Sequence, residues 1–314
     1  MAGYCRCHLP FFMKLFNWVL FFVLSVIWGS SFILMKEGMI ALSPYQVAAV
    51  RIFCAGIVLL PFSIKALKQL PAGKMPVIVF AGLLGSFFPA FLFCIAETKL
   101  DSALAGILNA LTPLFTIVVG VLFFQLKAGK QKVIGITVGF AGLLILFVSN
   151  GHLELKNFSY TFLILIATLM YGINVNLIGR YMKEVGSFNI AIVAFSFLTL
   201  PCLLVLIFTG YFHLPLMDKT VLWSTGASAI LGIFGTAIAN ILFYMLLKRS
   251  GALFASMVTY CIPIVAVVWG IYYGEQITAP QIASLFIILF GVYLANANKN
   301  PFAVFTKKTK VHNK

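Results

Sequence analysis

The feature that most constrains this chain is a series of long apolar runs separated by short polar connections. A helix needs about 20 apolar residues to cross the hydrocarbon core of a bilayer. Charged residues make up only 9% of the 314 residues, too few to cover a soluble domain of this length. The sequence therefore predicts an all-α polytopic membrane protein. The runs predict ten transmembrane helices, at about residues 16–35, 44–63, 76–96, 102–124, 132–149, 158–178, 188–209, 220–246, 251–273 and 279–297.

The basic residues predict how these helices are oriented. If the N-terminus lies in the cytoplasm, seventeen of the 22 lysines and arginines fall on the cytoplasmic side or in a basic tail at residues 298–314. Arg51 lies within a span, and four fall outside: Lys36, Lys99, Lys156 and Lys219. An excess of Lys and Arg marks cytoplasmic connections, so both termini are predicted to be cytoplasmic. The basic residues are divided among these connections, which argues against a nucleic-acid-binding face.

The second half of the chain repeats the first. A shift of 150 residues aligns pairs without a gap: Gly82 with Gly232, Gly85 with Gly235, Ser86 with Thr236, Phe93 with Phe243, Pro113 with Pro263 and Gly120 with Gly270. The halves, residues 16–149 and 158–297, contain five predicted helices each. Because five is odd, the second half enters the membrane from the opposite side. Inverted repeats of this kind are typical of transporters that alternate access around a site between the repeats.

A set of short motifs resembles one transporter family. The motifs are Trp28-Gly29-Ser30-Ser31-Phe32, then Lys36, Ser43-Pro44, Arg51, the two prolines Pro113 and Pro263, and Gly274-Glu275. This ordered set resembles the EamA-type branch of the drug/metabolite transporter superfamily. The resemblance implies export of small metabolites, such as amino acids or related compounds, across a bacterial inner membrane. The first half departs from the pattern at Phe124-Gln125, so an acid at that position serves one repeat only.

Arg51 is the one ionisable side chain placed well inside a predicted span. An intramembrane charge is costly and usually faces a wet cavity or a partner. One interpretation is that the guanidinium binds a substrate carboxylate through two parallel hydrogen bonds. The other is structural, with the side chain extending outward to Glu37, Glu97 or Asp101, or capping backbone carbonyls.

Amide and aromatic side chains supply the other candidate ligands. Four asparagines lie within predicted spans: Asn109, Asn174, Asn176 and Asn240. Such amides either bind a polar ligand or join helices to one another. Trp28 and Tyr171 align when the halves are compared with a shorter shift, and Asn174 follows Tyr171 by about one helical turn. The predicted substrate-binding set is Trp28, Arg51, Asn109, Tyr171, Asn174 and Asn240.

Prolines and glycines suggest where the helices bend and pack. Pro113 and Pro263 each remove a backbone donor within a predicted helix, and are predicted to be matched hinges. The glycines are predicted to allow close helix packing: Gly82, Gly85, Gly232 and Gly235, with Gly135, Gly139 and Gly142.

Several other functions are weighed against transport. No phosphate-binding Gly-x-x-x-x-Gly-Lys-Ser/Thr motif occurs, so secondary transport is favoured, with no cofactor, no metal site and no enzymatic activity. No histidine or carboxylate lies mid-span, so a proton carrier would have to use Glu37, Glu97, Asp101 or Glu275 near the outer ends. The alternatives are a related-fold carrier of phosphorylated or sugar substrates, and a membrane-embedded acyltransferase using His213 and Asp218. The predicted partners are a small-molecule substrate and the lipid bilayer.

Overall fold

The computed structural model describes residues 11–126, 129–149, 155–256 and 258–296. Within those ranges every regular element is helical, and no β-strand occurs. The predicted basic tail, residues 298–314, lies outside the described residues. The α-helices are α1 Phe11–Gly29, α2 Ser31–Gly38, α3 Pro44–Leu59, α4 Ser63–Lys68, α5 Met75–Gly82, α6 Phe88–Glu97, α7 Ser102–Asn109, α8 Thr112–Phe123, α9 Lys130–Ser149, α10 Leu155–Tyr181, α11 Ser187–Phe208, α12 Lys219–Ile230, α13 Ala239–Ser256, α14 Val258–Tyr272 and α15 Ala279–Asn296.

The helices are long and apolar enough for a membrane protein. Among the described residues, seven stretches meet the length and hydropathy of a membrane span: Leu15–Gly38, Pro44–Lys68, Met75–Glu97, Ser102–Phe123, Ser159–Tyr181, Ser187–Phe208 and Lys219–Ser250. Two shorter apolar helices follow, Val258–Tyr272 and Ala279–Ala295. The predicted class, an all-helical membrane protein, is confirmed.

Two helices change from α- to π-helical geometry at matching places in the two halves. The π-helical segments are Leu83–Phe87, between α5 and α6, and Leu231–Ile238, between α12 and α13. The glycine pairs found by the repeat lie in or beside these segments. A Cβ on Gly232 would lie 3.0 Å from the backbone carbon of Arg51, so this glycine lets α3 approach closely. Short π-helical segments within α-helices are frequent at functional sites.

The two prolines predicted as matched hinges differ in backbone setting. Pro113 lies in the first turn of α8, just after a break that separates α8 from α7 at residues 110–111. A proline there costs no hydrogen bond, because the first N–H groups of a helix have no intrahelical acceptor. Pro263 instead lies inside the continuous helix α14. The helix is therefore broken just before Pro113, whereas α14 runs without a break through Pro263.

The sequence misplaced one helix end. A connection was predicted at about residues 247–250, where Lys248, Arg249 and Ser250 follow one another, yet α13 continues to Ser256. Each of these polar side chains is bonded within the bundle. The Lys248 ammonium donates to the Val185 carbonyl, Arg249 Nε donates to Asn17 Oδ1 at 3.3 Å, and Ser250 Oγ donates to the Leu246 carbonyl at 2.7 Å. Polar residues with such partners do not end a helix.

Glycines bring α9 and α15 into backbone contact. A Cβ on Gly291 would lie 2.6 Å from Gly139 Cα, and one on Gly135 would lie 2.6 Å from the Gly291 carbonyl oxygen. Real Cβ atoms do not approach other atoms this closely. Small residues allow such close packing in membrane proteins, where van der Waals contact drives helix association. The packing role predicted for Gly135 and Gly139 agrees with this contact.

We expect Gly291→Ala to lower the thermal unfolding temperature of the purified protein, because α9 and α15 must separate to admit the methyl group. The matched control is Gly179→Ala, since Gly179 is an exposed residue of α10 and a Cβ there would meet nothing within 4 Å. That change should be neutral or slightly stabilising, because alanine favours a helix over glycine by about 0.5–1 kcal/mol. Equal effects of the two substitutions would contradict the packing assignment.

Candidate functional site

A cavity lies between the two halves of the chain. It encloses about 1030 Å³ of empty space, its open mouth included. All six residues of the predicted substrate-binding set line it: Trp28, Arg51, Asn109, Tyr171, Asn174 and Asn240. Pro113 lines it as well, whereas Pro263 follows the lining residue Ile262. The structure thus brings together, from both halves, the side chains that the sequence singled out.

The start of α3 fixes where Arg51 enters the cavity. Ser43 and Gln46 form a capping box, in which the Gln46 N–H donates to Ser43 Oγ at 3.3 Å and the Ser43 N–H donates to Gln46 Oε1 at 2.9 Å. Pro44 occupies the first turn, where its missing donor is not needed. Gln46 Nε2 also donates to the Thr209 carbonyl at 3.0 Å, which ties α3 to the end of α11. Arg51 follows about two helical turns into the bundle.

The guanidinium of Arg51 is held by neutral groups. Its Nε donates to Thr236 Oγ1 at 2.7 Å, and its Nη1 lies 3.8 Å from Met35 Sδ. Thr236 belongs to the second π-helical segment, and its own hydroxyl donates to the Leu231 carbonyl at 3.3 Å. In the part of the chain that the structure describes, no carboxylate lies within 4.0 Å of the guanidinium.

The acids proposed as outward partners of Arg51 have other surroundings. Glu37 accepts a hydrogen bond from Trp223 Nε1 at 2.7 Å. Asp101 lies 3.7 Å from the Lys36 ammonium, and Glu97 is buried without a hydrogen-bond partner among the described residues. The alternative in which Arg51 pairs outward with an acid is therefore not the arrangement in this structure.

The intramembrane asparagines have different roles in the structure. Asn176 Nδ2 donates to the Thr116 and Gly172 carbonyls, both at 2.8 Å, and so joins α10 to α8. Asn240 Nδ2 donates to the Thr236 carbonyl at 2.7 Å, and Asn109 Oδ1 accepts from Thr112 Oγ1 at 3.3 Å. Asn174 is only 7% exposed, and its Oδ1 has no partner among the described residues. This oxygen is therefore a buried, unpartnered acceptor on a residue that lines the cavity.

Aromatic rings form much of the remaining wall. Trp28 packs against Phe243 with ring centroids 5.1 Å apart, and Tyr171 stacks on Phe93 at 6.1 Å. The indole N–H of Trp28 donates to the Gly235 carbonyl at 3.0 Å, which fixes the ring against the second π-helical segment. Sequence reasoning did not propose Phe93 or Phe243 as site residues. The signal was present, because the shift of 150 residues pairs them.

An ionic cluster connects the two halves. Glu275, in the connection after α14, accepts from the Ser102 N–H at 2.9 Å, the Ser102 hydroxyl at 2.7 Å and the Ala103 N–H at 2.9 Å. Its carboxylate therefore caps the N-terminus of α7, where the helix dipole favours negative charge. Lys36 lies 3.9 Å from the same carboxylate.

The residues considered for enzymatic chemistry, His213 and Asp218, are not among the lining residues of the cavity. Asp218 caps α12, where its carboxylate accepts from the Thr220 and Val221 N–H groups at 2.9 and 3.4 Å. These hydrogen bonds lower the pKa of Asp218 below its usual 3.8, so this carboxylate is a poor general base. Among the described residues, no group of three His, Cys, Asp or Glu side chains could hold a metal ion.

Comparison with known proteins connects this cavity to a transporter family. The EamA-like transporter family matches residues 16–148 and again residues 158–297. The chain is 28% identical over 286 residues to the "Uncharacterized inner membrane transporter YedA" of Escherichia coli K12, covering 90% of each chain. It is 23% identical over 292 residues to "Protein PagO" of Salmonella typhimurium, covering 90% of this chain and 93% of the relative.

A solved crystal structure has the same fold. It superposes with a TM-score of 0.61 at 17% identity and covers 90% of this chain and 97% of its own. At that identity the likeness concerns the fold alone. The two family matches together cover nearly all of the chain, and they meet at the cavity. This chain belongs to the EamA-like transporter family, within the drug/metabolite transporter superfamily, and is a membrane transporter.

Proposed function

We propose that the protein is a secondary transporter that exports a small metabolite, such as an amino acid or a related compound, by alternating access. One observation carries the proposal. A cavity lined by residues of both family matches contains an arginine with no carboxylate partner in the described chain. Intramembrane cations are costly, and mark substrate pathways when they face a cavity. A substrate carboxylate would supply the missing partner.

The chemistry of the wall supports an amphipathic acid as the substrate. The Arg51 N–H groups not bonded to Thr236 can bind a carboxylate. The buried, unpartnered Asn174 Oδ1 would accept a hydrogen bond from an ammonium or amide group of the same molecule once a movement of the side chain exposes it to the cavity. Trp28, Tyr171 and the phenylalanines around them offer apolar contact to the remainder. Ligand sites with few polar groups in a largely apolar wall bind in this way.

The two alternatives have less support. A phosphorylated substrate carries two negative charges, yet Arg51 is the single charged side chain among the described lining residues. The acyltransferase alternative requires Asp218 as part of a general base, but its oxygen is bonded to two backbone N–H groups at the start of α12.

Alternating access in this proposal involves ten spans in two inverted halves, with both termini cytoplasmic in a bacterial inner membrane. The orientation is supported by the unequal distribution of Lys and Arg. A relative is named an inner membrane transporter, which supports the location. The matching π-helical segments, Leu83–Phe87 and Leu231–Ile238, lie where two repeats would bend equivalently. Pro113 and Pro263 are proposed as hinges, one at a helix break and the other within a helix.

We expect Arg51→Leu to abolish export and Arg51→Lys to impair it, because lysine keeps the charge but not the planar pair of donors. The measurement is an untargeted comparison of metabolites in the medium of cells expressing the wild type, each variant or an empty vector. Lys99→Leu is the matched control, since it removes one exposed cation far from the cavity lining. A normally expressed Arg51→Leu variant with full export would refute the anchor role.

We expect a cysteine at Ser86 to react with a small water-soluble methanethiosulfonate reagent, and substrate to slow the reaction. Ser86 lines the cavity, whereas the control Ser228 is 0% exposed and lies outside its lining. Both substitutions are made in a variant without the six native cysteines, and modification is read by mass spectrometry of membranes. Equal reactivity at the two positions would contradict an accessible cavity.

A further inference from the structure

One carboxyl group is buried in the bundle without any of the partners that a charged carboxylate needs. Glu97, the last residue of α6, is only 2% exposed. Neither of its side-chain oxygens has a hydrogen-bond partner among the described residues. No lysine or arginine in the described chain lies within 4.0 Å of it. An ionised carboxylate in such a place would lack both solvent and donors, which is costly.

The neighbouring acids, unlike Glu97, have hydrogen-bond or ion-pair partners. Glu37 is bonded to Trp223, Asp101 is half exposed beside Lys36, and Glu275 accepts three hydrogen bonds at the start of α7. Their charges are therefore compensated. Glu97 lies only four residues from Asp101 in sequence, and differs from it in burial and in the absence of donors.

The groups that face Glu97 come from several elements. Lys36 of α2 and Arg51 of α3 are close enough to attract its charge, and Glu275 is close enough to repel it. On its own helix, Cys94 is the nearest titratable neighbour in sequence. Of the other elements packed against α6, α10 contributes Tyr171, which lines the cavity. Helix α7 and the segment Leu83–Phe87 carry no titratable side chain.

We propose that Glu97 is a proton-binding site of this transporter and that it holds a proton in the conformation described. A neutral carboxyl group can be buried at far lower cost than a carboxylate. The ionised form becomes stable when a movement of the helices exposes Glu97 to water or brings Lys36 to it. Protonation and conformational change are thus coupled at this residue, because each conformation favours one protonation state.

Protonation of Glu97 also affects how a substrate binds in the cavity. This step rests on the proposed function. Glu97 and a carboxylate bound in the cavity would share the positive charge of Arg51. Two negative groups near one cation repel each other, so a proton on Glu97 favours carboxylate binding, and a bound carboxylate favours protonation by the same factor. The substrate anion and the proton are therefore expected to bind together.

The test is infrared spectroscopy of the purified protein in an alkyl maltoside, a detergent without a carbonyl group. We expect a carboxylic-acid C=O stretching band at neutral pH, its loss at high pH, and its absence in Glu97→Gln. Asp101→Asn is the matched control and should keep the band, because that carboxylate is half exposed beside Lys36 and is not the buried group. A wild-type spectrum without the band would overturn the proposal even if Glu97→Gln failed to fold, as would a band that persists in a folded Glu97→Gln variant.

A second measurement separates this proposal from the proposed function. A mixture of the proteinogenic amino acids is added to weakly buffered protein, and a pH indicator follows proton uptake. We expect uptake by the wild type and its loss in Glu97→Gln, while binding followed by calorimetry is retained. Proton release on binding would overturn the coupling. If no amino acid binds, the proposed substrate class fails, and the infrared band still decides whether Glu97 carries a proton.

Discussion

A helix inside a bilayer can be interrupted only where protein or enclosed water satisfies the backbone groups that the interruption frees. The irregularities of this chain obey that constraint. The break between α7 and α8 and both π-helical segments contribute residues to the cavity or hold residues that line it. These three deviations from regular helix therefore lie next to a cavity whose lining includes polar side chains. The helix packing that leaves the cavity open therefore also accommodates the irregular backbone beside it.

The same low-dielectric surroundings govern the charges. Arg51 keeps its charge with the help of a hydroxyl and a thioether, and Glu97 lies nearby without donors. A direct pair between them would satisfy both groups and leave neither available to a ligand. Their separation leaves the bundle with an unused cation and an unused acid. Leaving two such groups apart lowers the stability of the folded protein, because breaking or omitting a buried ion pair is costly. Both groups then remain available to a ligand.

Much of the site could be predicted from the sequence, because a polar residue deep in an apolar run is conspicuous. Arg51, Asn109, Asn174 and Asn240 were found in this way, and all four line the cavity. The phenylalanines of the wall were missed, since the chain has 32 of them and most positions in a membrane protein are apolar whether they face lipid or a cavity. Thr236 was identified only as the residue that the repeat aligns with Ser86, because one hydroxyl gives no sign of a partner 185 residues away.

The fold, like the site, could be predicted only in part from the sequence. Helical spans follow from composition, but π-helical segments leave no mark in a hydrophobic pattern. The end of α13 was misplaced because Lys248 and Arg249 resemble a connection until their partners Val185 and Asn17 are known. Pro113 and Pro263 occupy aligned positions in the two halves, yet only the former follows a helix break. Tertiary packing, which acts between distant residues, decides each of these features.

Glu275 caps α7, whereas the aligned position in the first half is Gln125. To separate α7 from the connection after α14, three hydrogen bonds to one carboxylate must break together. The aligned place in the other repeat has a neutral amide and no such carboxylate. A duplicated architecture therefore does not make the two ends of the molecule equivalent. The contact at Glu275 is held by hydrogen bonds to a charged group, whereas the aligned residue Gln125 is neutral, so equal movements of the two halves would meet different resistance.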